Sequence, residues 1–458
     1  MNHLCSLFLS VLLVLCGTLF TAAAERPNVL FLFADDMRAD SIGALGNPTV
    51  KTPHLDALVR RGFAMRNAYC FGGNSAAVCT PSRNMLLSGN AFFRWKDYLP
   101  PSAAEGRRGL LSPGDGANLP LSFRDAGYTT YHHGKKGNTA TLIQAKFDVN
   151  KYLTNDEAER KSGEPGREIA DDAIAFLKDR PAEKPFLMYL AFGNPHDPRV
   201  AAKQYLDLYD PAKIPLPANY RPQHPFDNGE MTVRDEKLSP WPRTETEIRR
   251  TLHEYYATIT ALDHHIGRLL ASLKERGLAD NTIVVFSADQ GISVGSHGLL
   301  GKQNLYDAAM KSPLVFAGPG VPHGESASLV HLFDIYPTLC ELAGFAAPEG
   351  IDGRSFQPVI AGRSATHREA LLLAYRDVQR AYRDERWKVI RYPQVDVTQL
   401  FDLAADPDER HDLAGDAAHK PRIEQMLRAL ADRQRTFGDA LPLSVPRPRS
   451  AQWPPPTE

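Results

Sequence analysis

Short, mainly apolar runs that alternate with helical segments are the feature that most constrains the fold of this chain. Such runs predict β-strands buried on both faces, and helices between them predict a mostly parallel sheet covered on both sides. Five runs fit this pattern, at Asn28–Phe33, Tyr128–His133, Pro185–Phe192, Thr282–Ser287 and Pro313–Phe316. We therefore expect an α/β fold in which helices sandwich a large, mixed but mostly parallel sheet.

Helix signals and a second group of strands complete the expected organisation. Thr52 and Pro53 are typical of a helix start, and residues 247–275 predict a long helix that ends before a glycine. We expect a large domain over 25–362 and a proline-rich, polar excursion within it over 209–243. Strand-like runs and a final helix then predict a small α+β domain with an antiparallel sheet over 363–445, followed by a loosely packed tail over 446–458.

Residues 1–24 have the pattern of an export signal. Leu4–Phe20 is almost wholly apolar, and Thr21–Ala24 offers a small-residue cleavage site. The segment is short for a membrane anchor and charge follows it directly, so cleavage is favoured over anchoring. A lipid anchor at Cys16 is disfavoured because Leu15 precedes it. We expect a periplasmic or secreted protein with no stable membrane span after cleavage.

Composition excludes other classes of partner and scaffold. The net charge is −1 and 43% of the residues are hydrophobic, so the chain lacks the basic field that a nucleic-acid partner requires. Signal cleavage leaves Cys70, Cys79 and Cys340, which are too few for a disulfide scaffold. A bridge between Cys70 and Cys340 is conceivable, but two buried free thiols are the expectation.

Carboxylates, an amide and a histidine follow three of the predicted strands directly. Asp35-Asp36 and Asp289-Gln290 each end a strand, and His196 lies in the loop after another. Ligands of α/β sheets collect at the carboxyl ends of the strands. Adjacent carboxylates repel unless a cation neutralises them, and such oxygen donors suit Ca²⁺ or Mg²⁺. An isolated Asp-Asp pair is usually a cap or a solvated turn, but the second oxygen-rich strand end favours a metal site.

Residues Cys79–Gly89 place a thiol beside a Pro-Ser-Arg turn at a predicted helix start. A lone cysteine is commonly a buried structural residue, and a thiolate favoured by a helix N-terminus is a second possibility. No local histidine partner supports a thiolate nucleophile. The whole run reads Cys-x-Pro-Ser-Arg-x-x-x-Leu-Ser-Gly, the signature at which type I sulfatases have the cysteine converted to formylglycine. This specific interpretation outweighs the other two.

The chain resembles the type I, formylglycine-dependent sulfatases of the alkaline-phosphatase-like superfamily, and among them exported glycan sulfatases of the iduronate-sulfatase-like kind. The matching stretches are Asn28–Asp36, Thr52–Gly62, Cys79–Gly89, Gly127–Lys135, Pro195–Pro198, Ser287–Lys302 and Leu400–Leu413. The resemblance implies a sulfuric ester hydrolase with its catalytic domain over 25–362. It also implies a sulfated carbohydrate or polysaccharide as substrate and a sulfatase-maturing enzyme that acts on Cys79.

The resemblance further implies a role for each matching side chain. One divalent cation, Ca²⁺ rather than Mg²⁺, would be bound by Asp35, Asp36, Asp289, Gln290 and residue 79. Arg83 would hold the formylglycine hydrate, one oxygen of which attacks sulfur while the second hydroxyl expels sulfate. Lys135 and Lys302 would bind the sulfate, and His196 would protonate the leaving alcohol. His297 and Asn138 are candidate substrate-binding residues.

The chain departs from the pattern of this family after Lys135. Many members carry a histidine two or three positions later that helps to release sulfate, and here those positions are Gly137 and Asn138. Asn138 could take a polar positioning role, His132 or His133 could substitute, or another base could act. Gln290 stands where asparagine is common, which keeps an amide oxygen for the metal.

Two other functions fit the same residues. A phosphodiester or phosphonate monoester hydrolase could use the same fold, with Cys79 modified or not. A glycan-binding relative without turnover is suggested by the missing histidine, although the intact Cys79–Gly89 run and the metal ligands argue against it. The polar excursion over 209–243 suits a sulfated glycan, and we expect it to face the substrate.

Overall fold

The structure is a computed structural model and describes residues 26–95 and 112–454, so the expected signal peptide lies outside the described residues. The strands of this part of the chain form two sheets. In chain order they are β1 (Asn28–Ala34), β2 (Phe63–Tyr69), β3 (Gly72–Gly73), β4 (Thr129–Gly134), β5 (Val149–Tyr152), β6 (Phe186–Ala191), β7 (Thr282–Ala288), β8 (Lys311–Ser312), β9 (Leu314–Ala317), β10 (Gly324–His331), β11 (Ala370–Tyr375), β12 (Gln379–Asp384), β13 (Trp387–Tyr392) and β14 (Val397–Asp402).

The helices begin and end at residues suited to those positions. Pro53 occupies the first turn of its helix, and Thr244 and Glu247 form a capping box at the start of the longest one. Gly89, with φ +71°, ends the helix that begins at Cys79. The α-helices in the described residues are Pro53–Arg61, Cys79–Ser88, Leu119–Asp125, Thr141–Gln144, Asp156–Lys161, Arg167–Asp179, Lys203–Leu206, Glu245–Glu275, Asp307–Met310, Ile335–Leu342, Gln357–Ile360 and Lys420–Phe437.

The larger sheet confirms the predicted α/β fold. Among the described residues its strand order is β10-β2-β9-β7-β1-β6-β4-β5, with β8 paired to β2. Central β1 pairs in parallel with both β6 and β7, whereas β9 runs antiparallel to its neighbours. The five predicted runs form β1, β4, β6, β7 and β9. Strands β2, β5 and β10 were not predicted, because they lie at or near the edges and mix polar with apolar residues.

Both faces of the larger sheet are buried, which explains the continuous apolar runs. Side chains of β1 alternate, so that Val29, Phe31 and Phe33 pack in one hydrophobic cluster and their neighbours Leu30 and Leu32 pack in another. The first face is covered by helices Cys79–Ser88, Leu119–Asp125 and Ile335–Leu342, and the second by helices Pro53–Arg61, Arg167–Asp179 and Glu245–Glu275.

The smaller sheet lies in the C-terminal part of the chain and is antiparallel, as predicted, apart from one short strand. Its order is β14-β13-β12-β11-β3, and β3 comes from the N-terminal part and pairs in parallel with β11. Leu371 and Tyr392 of this sheet pack in the same hydrophobic cluster as Val29 and Phe31 of the larger one. The two parts therefore share one core, and the division at residue 362 stays a prediction.

The described part of the expected tail is mostly exposed but contacts the 209–243 excursion. The backbone N–H of Asp227 donates to the carbonyl of Ala451 (2.8 Å). The side-chain amide of Gln223 donates to the carbonyl of Trp453 (3.1 Å), and the Trp453 ring is partly buried against the main core. These contacts tie the end of the described chain to the excursion.

The cysteines in the described ranges are Cys70, Cys79 and Cys340, and all three are buried and free. The expectation that no bridge joins Cys70 and Cys340 is therefore confirmed. Within residues 26–95 and 112–454, none of the helices combines the length and the apolar character that a membrane crossing requires.

A glycine substitution tests the junction between the two sheets. Gly72 has φ +110°, and an added Cβ would lie 2.0 Å from the carbonyl oxygen of Ala374 in β11. Gly127 has φ +88° with no neighbouring atom within 4 Å. Gly127→Ala should lower the free energy of unfolding by about 1–2 kcal/mol from backbone strain alone. Gly72→Ala adds the clash with the Ala374 carbonyl, so it should lower the free energy of unfolding by about 1–3 kcal/mol more than Gly127→Ala does. Denaturant unfolding measures both losses. Equal losses would show that β3 does not hold the sheets together.

Candidate active site

The candidate site lies where four neighbouring strands of the larger sheet end. Strands β7, β1, β6 and β4 are adjacent, and the site residues follow their carboxyl ends. The residues that follow these four strands are Asp289 and Gln290 after β7, Asp35 and Asp36 after β1, His196 after β6 and Lys135 after β4. The structure thus brings together side chains that the sequence spreads over more than half of the chain.

Three carboxylates and the Cys79 thiol form the centre of the site. Potential ligand atoms of Asp35, Asp36, Cys79 and Asp289 all lie within 4.8 Å of one another, and all four residues are buried. Successive side chains of an extended strand point to opposite faces. Asp36 instead has φ +62°, and this turn directs its carboxylate to the same side as that of Asp35.

Residue 79 is the first residue of the helix Cys79–Ser88, so its side chain lies at the positive end of the helix dipole. Its Sγ lies 3.2 Å from Asp35 Oδ1, 3.1 Å from Gln290 Nε2 and 3.3 Å from Lys302 Nζ. Burial raises the pKa of the Cys79 thiol well above its ordinary value, and the neighbouring carboxylates Asp289 and Asp35 raise it further. The unmodified side chain is therefore held as the neutral thiol, a weak nucleophile.

Arg83 lies one helical turn after Cys79 and therefore on the same face of the helix. Its Nε donates to Asp289 Oδ2 (2.9 Å) and its Nη2 to Asp35 Oδ2 (3.2 Å), and all three side chains are buried. A buried charge of this kind is stable only when it is paired and hydrogen-bonded. Arg83 thus joins the Cys79 helix to the ends of β1 and β7.

Two lysines complete the charge balance of the site. Lys135 Nζ contacts Asp35 Oδ2, and Lys302 Nζ donates to both oxygens of Asp36 (2.7 Å each). With Arg83, the protein supplies three cations for three carboxylates. The lysine side chains are nearly fully buried, so these charges interact in a poorly solvated environment.

The carboxylates differ in how readily they ionise. Burial raises the pKa of Asp36 to about 6, although Lys302 opposes this, and burial with the nearby charge of Asp35 raises the pKa of Asp289 to about 6. Burial also acts on Asp35, but Lys135 and Arg83 outweigh it and lower the pKa well below its ordinary value. Carboxylates that repel one another in this way favour an added cation.

The donor set fits a hard divalent cation. Besides the three carboxylates, the Oε1 atom of Gln290 is buried without a hydrogen-bond partner in the described structure. The Nε2 atom of the same amide donates to Asp36 Oδ1 (2.7 Å), so the amide lies within the cluster. Carboxylate and amide oxygens are the ligands that Ca²⁺ and Mg²⁺ prefer.

His196 borders this centre. Its Nδ1 lies 2.7 Å from the carbonyl oxygen of Asp197, which can only accept, so Nδ1 carries the hydrogen. The other ring nitrogen, Nε2, lies 3.8 Å from Asp36 Oδ2. The pKa of His196 is lowered to about 4, mainly by burial and then by the nearby positive charge of Lys302. An anionic substrate beside the ring would favour the protonated form.

The 209–243 excursion supplies residues beside His196 that were not predicted as site residues. Arg234 donates to both carboxylate oxygens of Asp197 and to Asp235 Oδ1 (3.0 Å). Burial would raise the pKa of Asp197, but hydrogen bonding to Arg234 lowers it to about 2. The signal in the sequence was only a charged run, Arg234–Lys237, within a proline-rich segment.

The excursion also positions the loop that carries Lys302. Glu236 is buried, pairs with Arg243 and accepts the backbone N–H groups of Leu300 (3.0 Å) and Gly301 (2.8 Å). The neighbouring Gln303 donates to Asp235 Oδ2 (2.8 Å). Sequence reasoning missed this clamp, because only the fold brings residues 235–243 beside residues 300–303.

His297 and Asn138, the two weaker candidates, lie outside these contacts. The His297 ring stacks on Tyr306 with 3.8 Å between centroids, and its Nε2 lies 3.1 Å from Asn219 Nδ2. Its side chain is buried between the excursion and the smaller sheet. Asn138 is exposed on the loop after β4, with φ +48°. The structure thus gives His297 a packing environment, and a role in substrate binding stays a prediction for both residues.

Neither histidine of β4 is hydrogen-bonded to the carboxylate cluster in the described structure. His132 Nδ1 lies 2.7 Å from Asn150 Oδ1 on β5, and the ring stacks on Tyr189. His133 points to the opposite face of the sheet, with Nδ1 3.4 Å from Asp172. These contacts leave both rings engaged elsewhere in the fold.

Comparison with known proteins establishes the family. The Sulfatase family profile matches residues 27–345, and the profile of the N-sulphoglucosamine sulphohydrolase C-terminal region matches residues 295–436. The chain belongs to the sulfatase family, whose members are sulfuric ester hydrolases. This confirms the resemblance found in the sequence.

Individual relatives support this placement over nearly the whole chain. An N-acetylglucosamine-6-O-sulfatase of Bacteroides thetaiotaomicron is 25% identical over 91% of this chain and 87% of its own. An ulvan-active sulfatase of Formosa agariphila is 28% identical over 88% of this chain and 79% of its own. Both relatives are named as sulfatases.

Solved structures share the fold. A structure described as a complex with its substrate D-glucosamine-2-N,6-O-disulfate has a TM-score of 0.75 and 24% identity, and covers 92% of this chain and 99% of its own. A phosphonate monoester hydrolase of Agrobacterium radiobacter has a TM-score of 0.71 and 21% identity, and covers 90% of this chain and 96% of its own.

The Arg234–Asp197 pair has a matched control in the same chain. Both Arg234 and Arg386 have 59% exposed side chains and form paired contacts with a carboxylate that is about one-tenth exposed, Asp197 or Asp402. Arg234→Ala should lower kcat/KM for a sugar sulfate about tenfold, about 1.4 kcal/mol, because it frees the carboxylate beside His196. Arg386→Ala should leave the kinetics unchanged. Unaltered kinetics in both variants would exclude Arg234 from the site.

Proposed function

We propose that the protein hydrolyses sulfate monoesters of a carbohydrate, using formylglycine made from Cys79 together with a bound Ca²⁺ ion. The observation that carries this proposal is the position of residue 79. Its side chain begins a helix at the centre of a carboxylate cluster, with Lys302 Nζ only 3.3 Å away. A maturing enzyme would act on the Cys-x-Pro-Ser-Arg run before the chain folds around it, since the side chain is buried afterwards.

The charges of the site support an anionic substrate. Arg83, Lys135 and Lys302 balance the three carboxylates, so a divalent ion would leave the site with two net positive charges. A sulfate group carries negative charge spread over its oxygens, and cations that are already in place stabilise such charge in the transition state.

Asp35, Asp36, Asp289 and Gln290 would hold the cation. Ca²⁺ suits them better than Mg²⁺, because Ca²⁺ accepts irregular sets of protein oxygens whereas Mg²⁺ tends to keep several waters. When present, the ion supplies positive charge for the sulfuryl oxygens, and the formylglycine hydrate supplies the oxygen that attacks sulfur and the hydroxyl that lets sulfate leave.

The other side chains position these groups and move protons. Arg83 holds residue 79 against the cluster through Asp35 and Asp289. Lys135 and Lys302 would bind the sulfate oxygens. His196, oriented by its Nδ1–H bond to the carbonyl of Asp197, would present Nε2–H to the leaving oxygen of the ester.

A glycan substrate agrees with the polar groups around the site. The excursion presents the exposed Arg234, which pairs with Asp197 beside His196 and with Asp235. Such groups suit the hydroxyls of a sugar. The names of the two sulfatase relatives, for N-acetylglucosamine 6-O-sulfate and for ulvan, support the same class. The export pattern of residues 1–24 supports a periplasmic or secreted enzyme.

The main alternative is phosphonate or phosphodiester hydrolysis, which the likeness to the phosphonate monoester hydrolase favours. Both classes of substrate are tetrahedral anions. The two activities are distinguished by rates on matched aryl esters.

Mass spectrometry and kinetics of the same preparation test the nucleophile. The peptide that contains residue 79, from protein made with a maturing enzyme, should show the thiol replaced by an aldehyde. The converted protein should hydrolyse an aryl sulfate faster than the matched aryl phosphonate or phosphodiester, and Cys79→Ala should abolish both. Full sulfatase activity with a uniform thiol would overturn the mechanism, and the reverse order of rates would favour the alternative.

The role of His196 predicts a dependence on the leaving group. His196→Ala should reduce kcat for a sugar sulfate by about 10²–10⁴-fold, because a sugar alkoxide leaves poorly without a proton. The reduction should be much smaller for 4-nitrophenyl sulfate, whose phenolate is a stable leaving group. Steady-state kinetics on both substrates checks this, and an equal reduction would show that His196 acts in binding and not as an acid.

A further inference from the structure

A tyrosine on the opposite side of the sheet contacts the turn that carries the metal ligands. Tyr255 lies on the helix Glu245–Glu275 and is fully buried. Its phenol donates to the backbone carbonyl of Asp36 (2.9 Å) and accepts the backbone N–H of Arg38 (2.9 Å). The one hydroxyl group therefore bridges both sides of the turn after β1.

This turn needs support from outside itself. Asp36 has φ +62°, a left-handed conformation that costs free energy for an L-residue, although Asp tolerates it better than most. The turn nevertheless must hold its shape, because it directs the carboxylates of Asp35 and Asp36 to the same point. A second contact, from the N–H of Asp36 to Asp289 Oδ1 (3.0 Å), occupies a carboxylate that would itself bind the cation. Tyr255 is thus a support that does not belong to the ligand set.

The same side chain also contacts the loop that carries His196. The guanidinium carbon of Arg199 lies 5.3 Å from the centre of the Tyr255 ring, within the range of a cation–π contact. Arg199 Nε in turn donates to the carbonyl of Pro195 (3.2 Å), the residue before His196. The hydroxyl of Tyr255 therefore contacts the turn after β1, and its ring contacts the loop after the neighbouring strand β6.

We propose that Tyr255 is a positioning residue that holds the Asp35–Asp36 turn in the conformation required for cation binding. The inference rests on the cation site of the proposed function. Outer-shell hydrogen bonds to metal ligands typically change metal affinity by about 10–100-fold. Tyr255→Phe keeps the ring and its contact with Arg199, so it removes only the hydroxyl.

The neighbouring tyrosine offers a matched control. Tyr256 is also largely buried on the same helix, but its hydroxyl accepts from Asn47 Nδ2 (3.3 Å) and has no hydrogen bond to the Asp35–Asp36 turn among the described residues. Both Tyr→Phe variants lose one hydroxyl from the same helical turn. A general effect of removing a buried hydroxyl should appear in both variants.

Calorimetric titration of Ca²⁺ into the chelator-treated mature protein tests the inference. Tyr255→Phe should weaken Ca²⁺ binding by about 10–100-fold, whereas Tyr256→Phe should remain within about twofold of the wild type. Thermal unfolding without Ca²⁺ checks that both variants are folded, and the stabilisation by saturating Ca²⁺ should be smaller for Tyr255→Phe.

The outcomes separate this inference from the proposed function. Equal Ca²⁺ affinity in the wild type and Tyr255→Phe overturns the role of Tyr255 and leaves the cation site intact. Equal weakening in both variants also overturns it, because the effect would then be general. If the wild type binds no Ca²⁺, the proposed cation site fails and the role of Tyr255 fails with it.

Discussion

The mutual repulsion of three buried carboxylates is the constraint on which the site depends. Asp35, Asp36 and Asp289 lie at the ends of adjacent strands, where water cannot screen them. The fold answers this repulsion with Arg83, Lys135 and Lys302, each from a different segment. Because unpaired buried charges are costly, this arrangement fixes how the Cys79 helix, the loop after β4 and the loop after β7 meet.

The smaller sheet and the excursion hold parts of the site in position, although both lie outside the larger sheet. Strand β3 precedes the Cys79 helix and pairs with β11, so this helix is anchored to the smaller sheet. Glu236 and Arg243 hold the backbone beside Lys302, and Arg234 holds the carboxylate beside His196. The C-terminal part and the excursion thus contribute to the geometry of the candidate site.

The fold was predictable where burial leaves a simple pattern. Strands β1, β6 and β7 are covered on both faces and read as continuous apolar runs, whereas β2 and β10 mix polar and apolar residues and gave no such signal. Most of the candidate site was predictable for a similar reason, since parallel strands end at one edge of the sheet and their first loop residues must meet. The clamps from Arg234 and Glu236 were not predictable, because no local pattern reports which loop an irregular, charged segment will pack against.

The sequence by itself determined the alternation of strands and helices, the family, and the identity of the residues at the strand ends. These follow from periodicity, from the Cys79–Gly89 run and from the short distance along the chain between each strand and its polar residues. Only the tertiary structure decided that Asp36 turns back beside Asp35, that Tyr255 supports this turn from the far helix, and that His297 packs on Tyr306. The Tyr255 contact joins residues that are 219 positions apart in the chain, and the two local contacts depend on the elements packed around them. Their energies depend on three-dimensional packing and shared burial, which no short stretch of sequence encodes.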